Sequence, residues 1–341
     1  MTPGARIAAL TADPQTALPR LEEATALSAR LAADRSAQEL LAHLFAGSEP
    51  LSLWLARRPD DLDWLVEEER LLWPRDEEGM QSHLADLMAA HPPDAALRIF
   101  RSRELCRIAA RELGGAAPVE QALAEWTVVA DVAVDAACAV ASAEALRDFG
   151  EAVYTPQEGG AERTASFAVI GMGKHGGGEL NISSDIDIIY VHSSDNGESR
   201  GGEKGALHLH EYFVRIARRV TSLLNDLTDL GQVFRVDLDL RPEGKSGELT
   251  NSVGAMEIYY ESWGQMWERQ AFIKARHVGG DRAVSGEVLE RLRPFTWRKY
   301  LDKGALDEVA VMKDKIDAQL KSKKTARKEA DNIKLGVGGI R

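Results

Sequence analysis

Residues 167–192 read FAVIGMGKHGGGELNISSDIDIIYVH, and this stretch limits the fold more than any other. Two apolar runs, 167–171 and 186–191, flank a glycine-rich turn, so two strands must be joined through backbone free to take left-handed conformations. Gly171, Gly173 and Gly176 carry the spacing of a dinucleotide fingerprint. That reading needs a helix after the third glycine and an acid about 20 residues further on. Asp185 instead arrives nine residues after Gly176, already entering the second apolar run. The spacing leaves no room for the helix, which excludes most Rossmann-type oxidoreductases. No Gly-Lys-Ser/Thr follows a four-residue spacer, so a P-loop fails too.

What remains is Asp185-x-Asp187 at the start of a strand. Residues two apart on a strand share a side, so both carboxylates project together while Ile186 and Ile188 face the core. Two such carboxylates repel unless a cation lies between them. A solvated strand edge is the plainer account, and both stay open here. A later segment, RVDLDLRP, alternates in the same manner. It predicts Val236, Leu238 and Leu240 on one face and Arg235, Asp237, Asp239 and Arg241 on the other. If that strand lies beside the first, a third carboxylate joins the pair. Such a set suits Mg²⁺, an oxygen-seeking ion, in phosphoryl or nucleotidyl transfer.

The rest of the 341 residues predicts two domains. Residues 1–153 read as helices, with Leu105, Ile108, Ala109 and Leu113 on one face and Gly114-Gly115 as a stop. Trp54, Trp64, Trp73 and Trp126 read as core or helix-packing residues. Residues 154–341 read as a mixed α/β domain after a polar connector at 154–166. It has a helix over 207–230 and helical sequence over 254–280 and towards Lys328. Cys106 and Cys138 read as reduced core thiols, consistent with a cytoplasmic setting. The net charge of −12 argues against a broad nucleic-acid-binding face, with the basic run at 321–330 read as a solvated face or loop. The apolar stretches read as too short for a membrane span. His208 and His210 sit two apart in a helix and read as poor metal ligands, and His175 as exposed.

Taken together, GMGKHGGGELNISSDIDIIY, FRVDLDLRPEGKSGEL, YYESWGQMWERQAFIKAR and the terminal DNIKLGVGGIR resemble the glutamine synthetase adenylyltransferase/adenylyl-removing family, within the polymerase-β-type nucleotidyltransferases. ALRIFRSRELCRIAARELGG is similar to that family's N-terminal helices. The resemblance implies an α+β fold, a helical N-terminal region followed by a polymerase-β-like nucleotidyltransferase domain. Ser-Ser before the Asp pair is similar to the half that removes AMP by phosphorolysis of adenylylated glutamine synthetase, giving ADP. It implies Mg²⁺ or Mn²⁺ on Asp185, Asp187 and Asp237, an ADP or ATP nucleotide, inorganic phosphate, glutamine synthetase as protein substrate and the PII protein as regulator, with no nucleic acid and no membrane. Glu268, Lys274 and Arg276 match family positions.

Gly177, Gly178, Ser184, Arg241, Lys274 and Arg276 are the candidates for nucleotide or phosphate binding, each with a plainer role as turn, cap or solvated charge. Asp239 stands where the family carries Arg and reads as a surface acid. The family continues beyond Gly-Gly-Ile-Arg, so the chain is expected to be truncated at its C-terminus. A catalytically silent regulatory or nucleotide-binding module is the alternative.

Overall fold

A computed structural model describes residues 2–156, 159–297 and 314. The basic run at 321–330 and the terminal motif lie outside the described residues. Among the described residues nine α-helices lead: α1 (Pro3–Ala8), α2 (Pro14–Leu27), α3 (Ala29–Ala33), α4 (Arg35–Gly47), α5 (Glu49–Ala56), α6 (Pro59–Val66), α7 (Glu77–Ala90), α8 (Pro93–Leu113) and α9 (Val119–Phe149). Then come β1 (Ala152–Tyr154), β2 (Arg163–Thr164), β3 (Phe167–Gly171), the one-turn α10 (Gly173–Gly176), β4 (Ile186–His192), β5 (Glu198–Ser199) and α11 (Leu209–Asn225). The described chain closes with β6 (Val236–Asp237), β7 (Thr250–Ser252), α12 (Val253–Ser262), α13 (Met266–Phe272), β8 (Arg276–Gly280), α14 (Arg282–Arg291) and α15 (Arg293–Thr296). The fold is α+β.

The functional half rests on one mixed sheet in the order β6-β4-β3-β8, with β7 pairing the far end of β4. Both faces are covered, because the apolar residues of β3 and β4 alternate between two cores. Phe167, Val169, Ile186, Ile188 and Tyr190 pack on the α9/α11 side, and Ala168, Ile170, Ile189 and Val191 on the α12/α14 side. α11 meets the first core with Leu209, Tyr212, Phe213, Ile216, Ala217, Val220, Leu223 and Leu224, the 3–4 spacing of a one-sided helix. α9 starts after Pro118 and stops at Gly150, whose φ of +80° favours glycine. Among the described residues it is the one helix long and apolar enough to span a bilayer, which the sequence reading had not picked out. Over half of that apolar stretch is buried, in packing against α8, α11 and β8.

The core under α9 runs without a break from Met80 of α7 to Val278 of β8, so the last long helices share one interior with the sheet. A second core holds α1 to α6 against α8. Trp126 and Trp64 are buried, and Trp54 is half-buried with its indole N–H on Asp61 at 2.8 Å. Trp73 departs from the packing expectation, being 64% exposed. So does Leu113, the last residue of α8, 47% exposed. Cys106 and Cys138 are free and buried, and burial pushes both thiols well up.

Three stretches read as loop or helix are strands. The connector at 154–166 holds β2 and the end of β1, the loop before α11 holds β5, and residues 276–280 form β8 against β3. β8 was hidden because its HVGG sequence continues a helical pattern. Only its antiparallel partner β3 makes it a strand.

α8 also carries charges inside. The carboxylate of Glu104, fully buried, faces Arg107 at 2.7 Å, Arg75 at 3.0 Å and His83 at 3.0 Å. Burial alone would raise its pKa, but His83, Arg107 and Arg75 hold it at about 2. Glu125 of α9 pairs with Arg107 and Arg111, both at 2.5 Å. These ion pairs cross-link α8 to α7 and α9 within the core that supports the sheet.

Candidate active site

β4 and β6 run parallel, in register at Ile186↔Val236 and Asp187↔Asp237. Paired residues on neighbouring strands share a face, so the Asp187 and Asp237 side chains leave the same side of the sheet from strands about 4.8 Å apart. Ile186 is buried on the opposite side, as the alternation predicts. Asp185 precedes β4 and is met by the guanidinium of Arg235, which also donates to Ser183 O at 2.7 Å. Asp187 and Asp237 are both half-buried.

The alternation predicted through Arg241 ends at Asp237. Asp237 Oδ1 accepts the N–H of Asp239 at 2.8 Å, an Asx-type turn that stops the strand. Val236 and Leu238 therefore stay with the α9/α11 core while Leu240 crosses to the other one. Asp239 is exposed, beside Lys245 at 3.3 Å, a surface acid as expected.

The glycine turn fits against this acid pair through its first glycine. Gly173 sits at φ +54°, and a β-carbon there would lie 2.5 Å from Asp187 Oδ2. Only glycine lets the carboxylate lie over this turn. The backbone closes on itself: Met172 N–H donates to Asp187 O at 2.8 Å and Gly176 N–H to Met172 O at 2.7 Å. Gly177 and Gly178, read as possible phosphate donors, spend their N–H groups on Gly173 O at 3.0 Å and His175 O at 3.3 Å. Gly178 nevertheless sits exposed at φ +74° with open space where a β-carbon would go.

The cations divide into two groups. Lys274 is half-exposed beside the turn, paired with Glu179. Arg276 is structural, donating to Gly176 O at 3.1 Å and His175 O at 3.0 Å while pairing with Asp131 of α9 at 2.8 Å. It ties the turn to α9. Arg241 does not neutralise the acids, because it donates to Leu238 O at 2.9 Å, Glu248 O at 3.1 Å and Gly247 O at 3.3 Å, holding its own loop. Ser184 bonds Asn181 Oδ1 at 3.0 Å. Glu268 caps α13 from a buried position and accepts the Tyr259 hydroxyl at 3.0 Å.

His175, read as exposed, is fully buried, with Nε2 on Asp131 at 2.7 Å. The turn folds back under β3 and carries it inward. A neighbouring cavity of about 460 Å³ is lined by Ser183, Ser184, Phe234, Arg235, Arg101 and Trp54, among others. It joins the acid pair's flank to the N-terminal helices.

The donor set at Asp187 and Asp237 is all carboxylate oxygen, half-buried, with the bare backbone of Gly173 against Asp187. That chemistry fits Mg²⁺ or Mn²⁺. Asp185 does not join them: its carboxylate is taken up by Arg235, and the three acids do not form a group with ligand atoms all within 4.8 Å of one another.

The family model for glutamate-ammonia ligase adenylyltransferase matches residues 38–291. The chain is similar to the bifunctional glutamine synthetase adenylyltransferase/adenylyl-removing enzyme of Thioalkalivibrio sulfidiphilus, 39% identical over 307 residues, covering 89% of this chain and 30% of that protein. The enzymes of the same description from Nitrosococcus oceani and Pseudomonas aeruginosa are 42% and 38% identical, over 72% and 77% of this chain and 24% and 26% of theirs. The chain thus spans under a third of the length of these relatives.

Proposed function

The chain belongs to the glutamate-ammonia ligase adenylyltransferase family, and from that membership we propose that it carries the adenylyl-removing chemistry. In this reading inorganic phosphate attacks the phosphorus of AMP esterified to a tyrosine of glutamine synthetase. A new P–O bond to phosphate forms, the P–O bond to tyrosine breaks, and the tyrosine oxygen takes up a proton as ADP leaves. The reading is carried by the register that sets Asp187 opposite Asp237 on parallel strands.

Asp187 and Asp237 would hold Mg²⁺ or Mn²⁺, with Asp185 as third ligand once released from Arg235. When bound, the cation supplies neutralising charge to the reacting phosphate oxygens. The chain's own residues do the rest. Gly173 gives the Asp187 carboxylate its position, and Arg276 holds the turn that contains it. In this reading Lys274 and Ser184 would exchange their present partners, Glu179 and Asn181, for phosphate. Arg235 neutralises Asp185 and is 63% exposed, free to swing from it towards a bound phosphate.

The test is incubation of adenylylated glutamine synthetase with phosphate, Mg²⁺ and this chain. ADP is expected with the intact sequence and lost in Asp187→Asn and Asp237→Asn. A folded chain that releases no ADP contradicts the reading. It then favours the alternative, a silent regulatory or nucleotide-binding module. One observation favours that alternative: Arg241 is tied into its loop and an acid, Asp239, stands where the family has Arg, so this strand adds no cation to the acid face. Regulation by a PII-type protein is part of the proposal, checked by whether added PII changes the rate of ADP release.

A further inference from the structure

The opposite end of β4 carries a second cluster, of different chemistry. His192 is its last residue, Asp195 lies in the loop that follows, and His210 opens α11. His192 Nε2 lies 2.9 Å from Asp195 Oδ1, and His210 Nδ1 lies 3.1 Å from the same oxygen. One ligand atom from each residue falls within 4.8 Å of the other two. The sequence reading dismissed His210 because it cannot share a face with His208. Its partners come from β4 and the loop instead, and His208 turns away to Glu198 at 3.4 Å.

We infer that His192, Asp195 and His210 form a binding site for a first-row divalent transition metal, with the donor chemistry of Zn²⁺. Two imidazole nitrogens and one carboxylate leave a fourth position open, as in zinc sites with three protein ligands. Zn–N and Zn–O bonds of roughly 2.0–2.2 Å place tetrahedral ligand atoms about 3.3 Å apart. The 2.9 and 3.1 Å separations lie within a few tenths of an ångström of that.

The outer shell is complete as well. A metal-ligating histidine commonly donates its other ring N–H to a fixed acceptor, which sets the tautomer. His192 Nδ1 faces Thr250 Oγ1 at 3.0 Å, and His210 Nε2 faces Glu248 Oε2 at 3.4 Å. After His192, Ser252 also helps hold the Asp195 carboxyl well below the usual range. With the metal on Nε2 of His192 and Nδ1 of His210, each neutral ring would keep its proton on the other nitrogen, facing Thr250 and Glu248 respectively. All three supports come from β7 or the residues just before it, because β7 lies parallel to β4 with His192 opposite Ser252. Asp187 and His192 are five residues apart on β4, roughly 16 Å at 3.3 Å per residue, so this site is separate from the acid pair.

The full chain, stripped with a chelator, is titrated with Zn²⁺ against a chromophoric competitor and with Co²⁺ followed by visible absorption. One equivalent of Co²⁺ should give the d–d band of a four-coordinate nitrogen/oxygen site. His210→Ala, at a 40% exposed position that folding tolerates, should weaken Zn²⁺ binding more than about 100-fold. Glu248→Gln should weaken it about 10-fold, through the outer shell. His208→Ala and the double variant Asp187→Asn/Asp237→Asn should leave Zn²⁺ affinity unchanged. Zn²⁺ should raise the melting temperature of the intact chain and not that of Asp195→Asn. Absence of a Co²⁺ band, or equal affinity in His210→Ala and the intact chain, overturns the assignment. So does a loss in His208→Ala as large as that in His210→Ala.

Discussion

Gly173→Ala probes the contact between the glycine turn and the acid pair. The backbone at Gly173 has φ +54°, a left-handed conformation that costs an L-residue about 1–2 kcal/mol. The added β-carbon would meet Asp187 Oδ2 at 2.5 Å, closer than the 3.0 Å that real β-carbons essentially never breach. Asp187 must give way, and a swing of about 30° off its rotamer costs roughly 0.5–1.5 kcal/mol. Together these lower the unfolding free energy by about 1.5–3.5 kcal/mol. A displacement of order 1 Å at a reacting group costs about 100-fold in rate, and a similar loss is expected for Mn²⁺ binding. Gly115→Ala is the control, with φ +74° and nothing within 4 Å of its β-carbon. It takes the backbone cost alone. Urea denaturation gives the stabilities and electron paramagnetic resonance counts free Mn²⁺. Equal stability losses in the two variants, with unchanged Mn²⁺ affinity in Gly173→Ala, would refute the contact between this turn and the ligand set.

Further expectations follow from the packing and the charges. Glu104→Ala leaves Arg75, Arg107 and His83 without their shared carboxylate and should cost about 3–5 kcal/mol in urea denaturation. Because Glu104 is held at about 2 against an ordinary 4.5, its contribution is full above pH 4.5 and is lost as pH falls towards 2. The intact chain should therefore lose more stability across that window than Glu104→Gln, as read by pH-dependent unfolding. Arg276→Ala unties the turn from Asp131 and should cost about 2 kcal/mol, with a loss of ADP release larger than that stability change explains. Arg235→Ala removes an exposed pair worth at most about 1 kcal/mol. It should tighten Mn²⁺ binding several-fold by freeing Asp185, as seen by the same resonance titration.

Strands β3 and β4 were legible because their apolar runs are unbroken and the glycine turn between them leaves room for no more than the single helical turn of α10. Strand periodicity gave the side of Asp187, while Asp185 lies just before β4 and is drawn to Arg235. The partner Asp237 was legible as a residue type, but its strand was overextended. Alternation in RVDLDLRP continues on paper, while the Asp237 carboxylate takes the Asp239 N–H and bends the chain. β8 and the small strands β1, β2 and β5 exist through pairing with distant segments, which local sequence does not encode. His175 and Arg276 were misjudged for the same reason, since both depend on Asp131 of α9, 44 and 145 residues away. The His192–Asp195–His210 cluster has no consecutive spacing, and only the return of α11 to the end of β4 assembles it. The His-x-x-Asp at 192–195 was its sole signal in the sequence.

The account stands on Asp187 and Asp237 sharing one divalent cation across the β4–β6 register. A crystal soaked in Mn²⁺, with data collected at the manganese absorption edge, tests this directly. The expected result is an anomalous peak bonded to oxygens of both carboxylates at about 2.1–2.2 Å, close to the distances of a hard cation on oxygen ligands. A peak bound to neither residue, with both carboxylates ordered in the map, would contradict it.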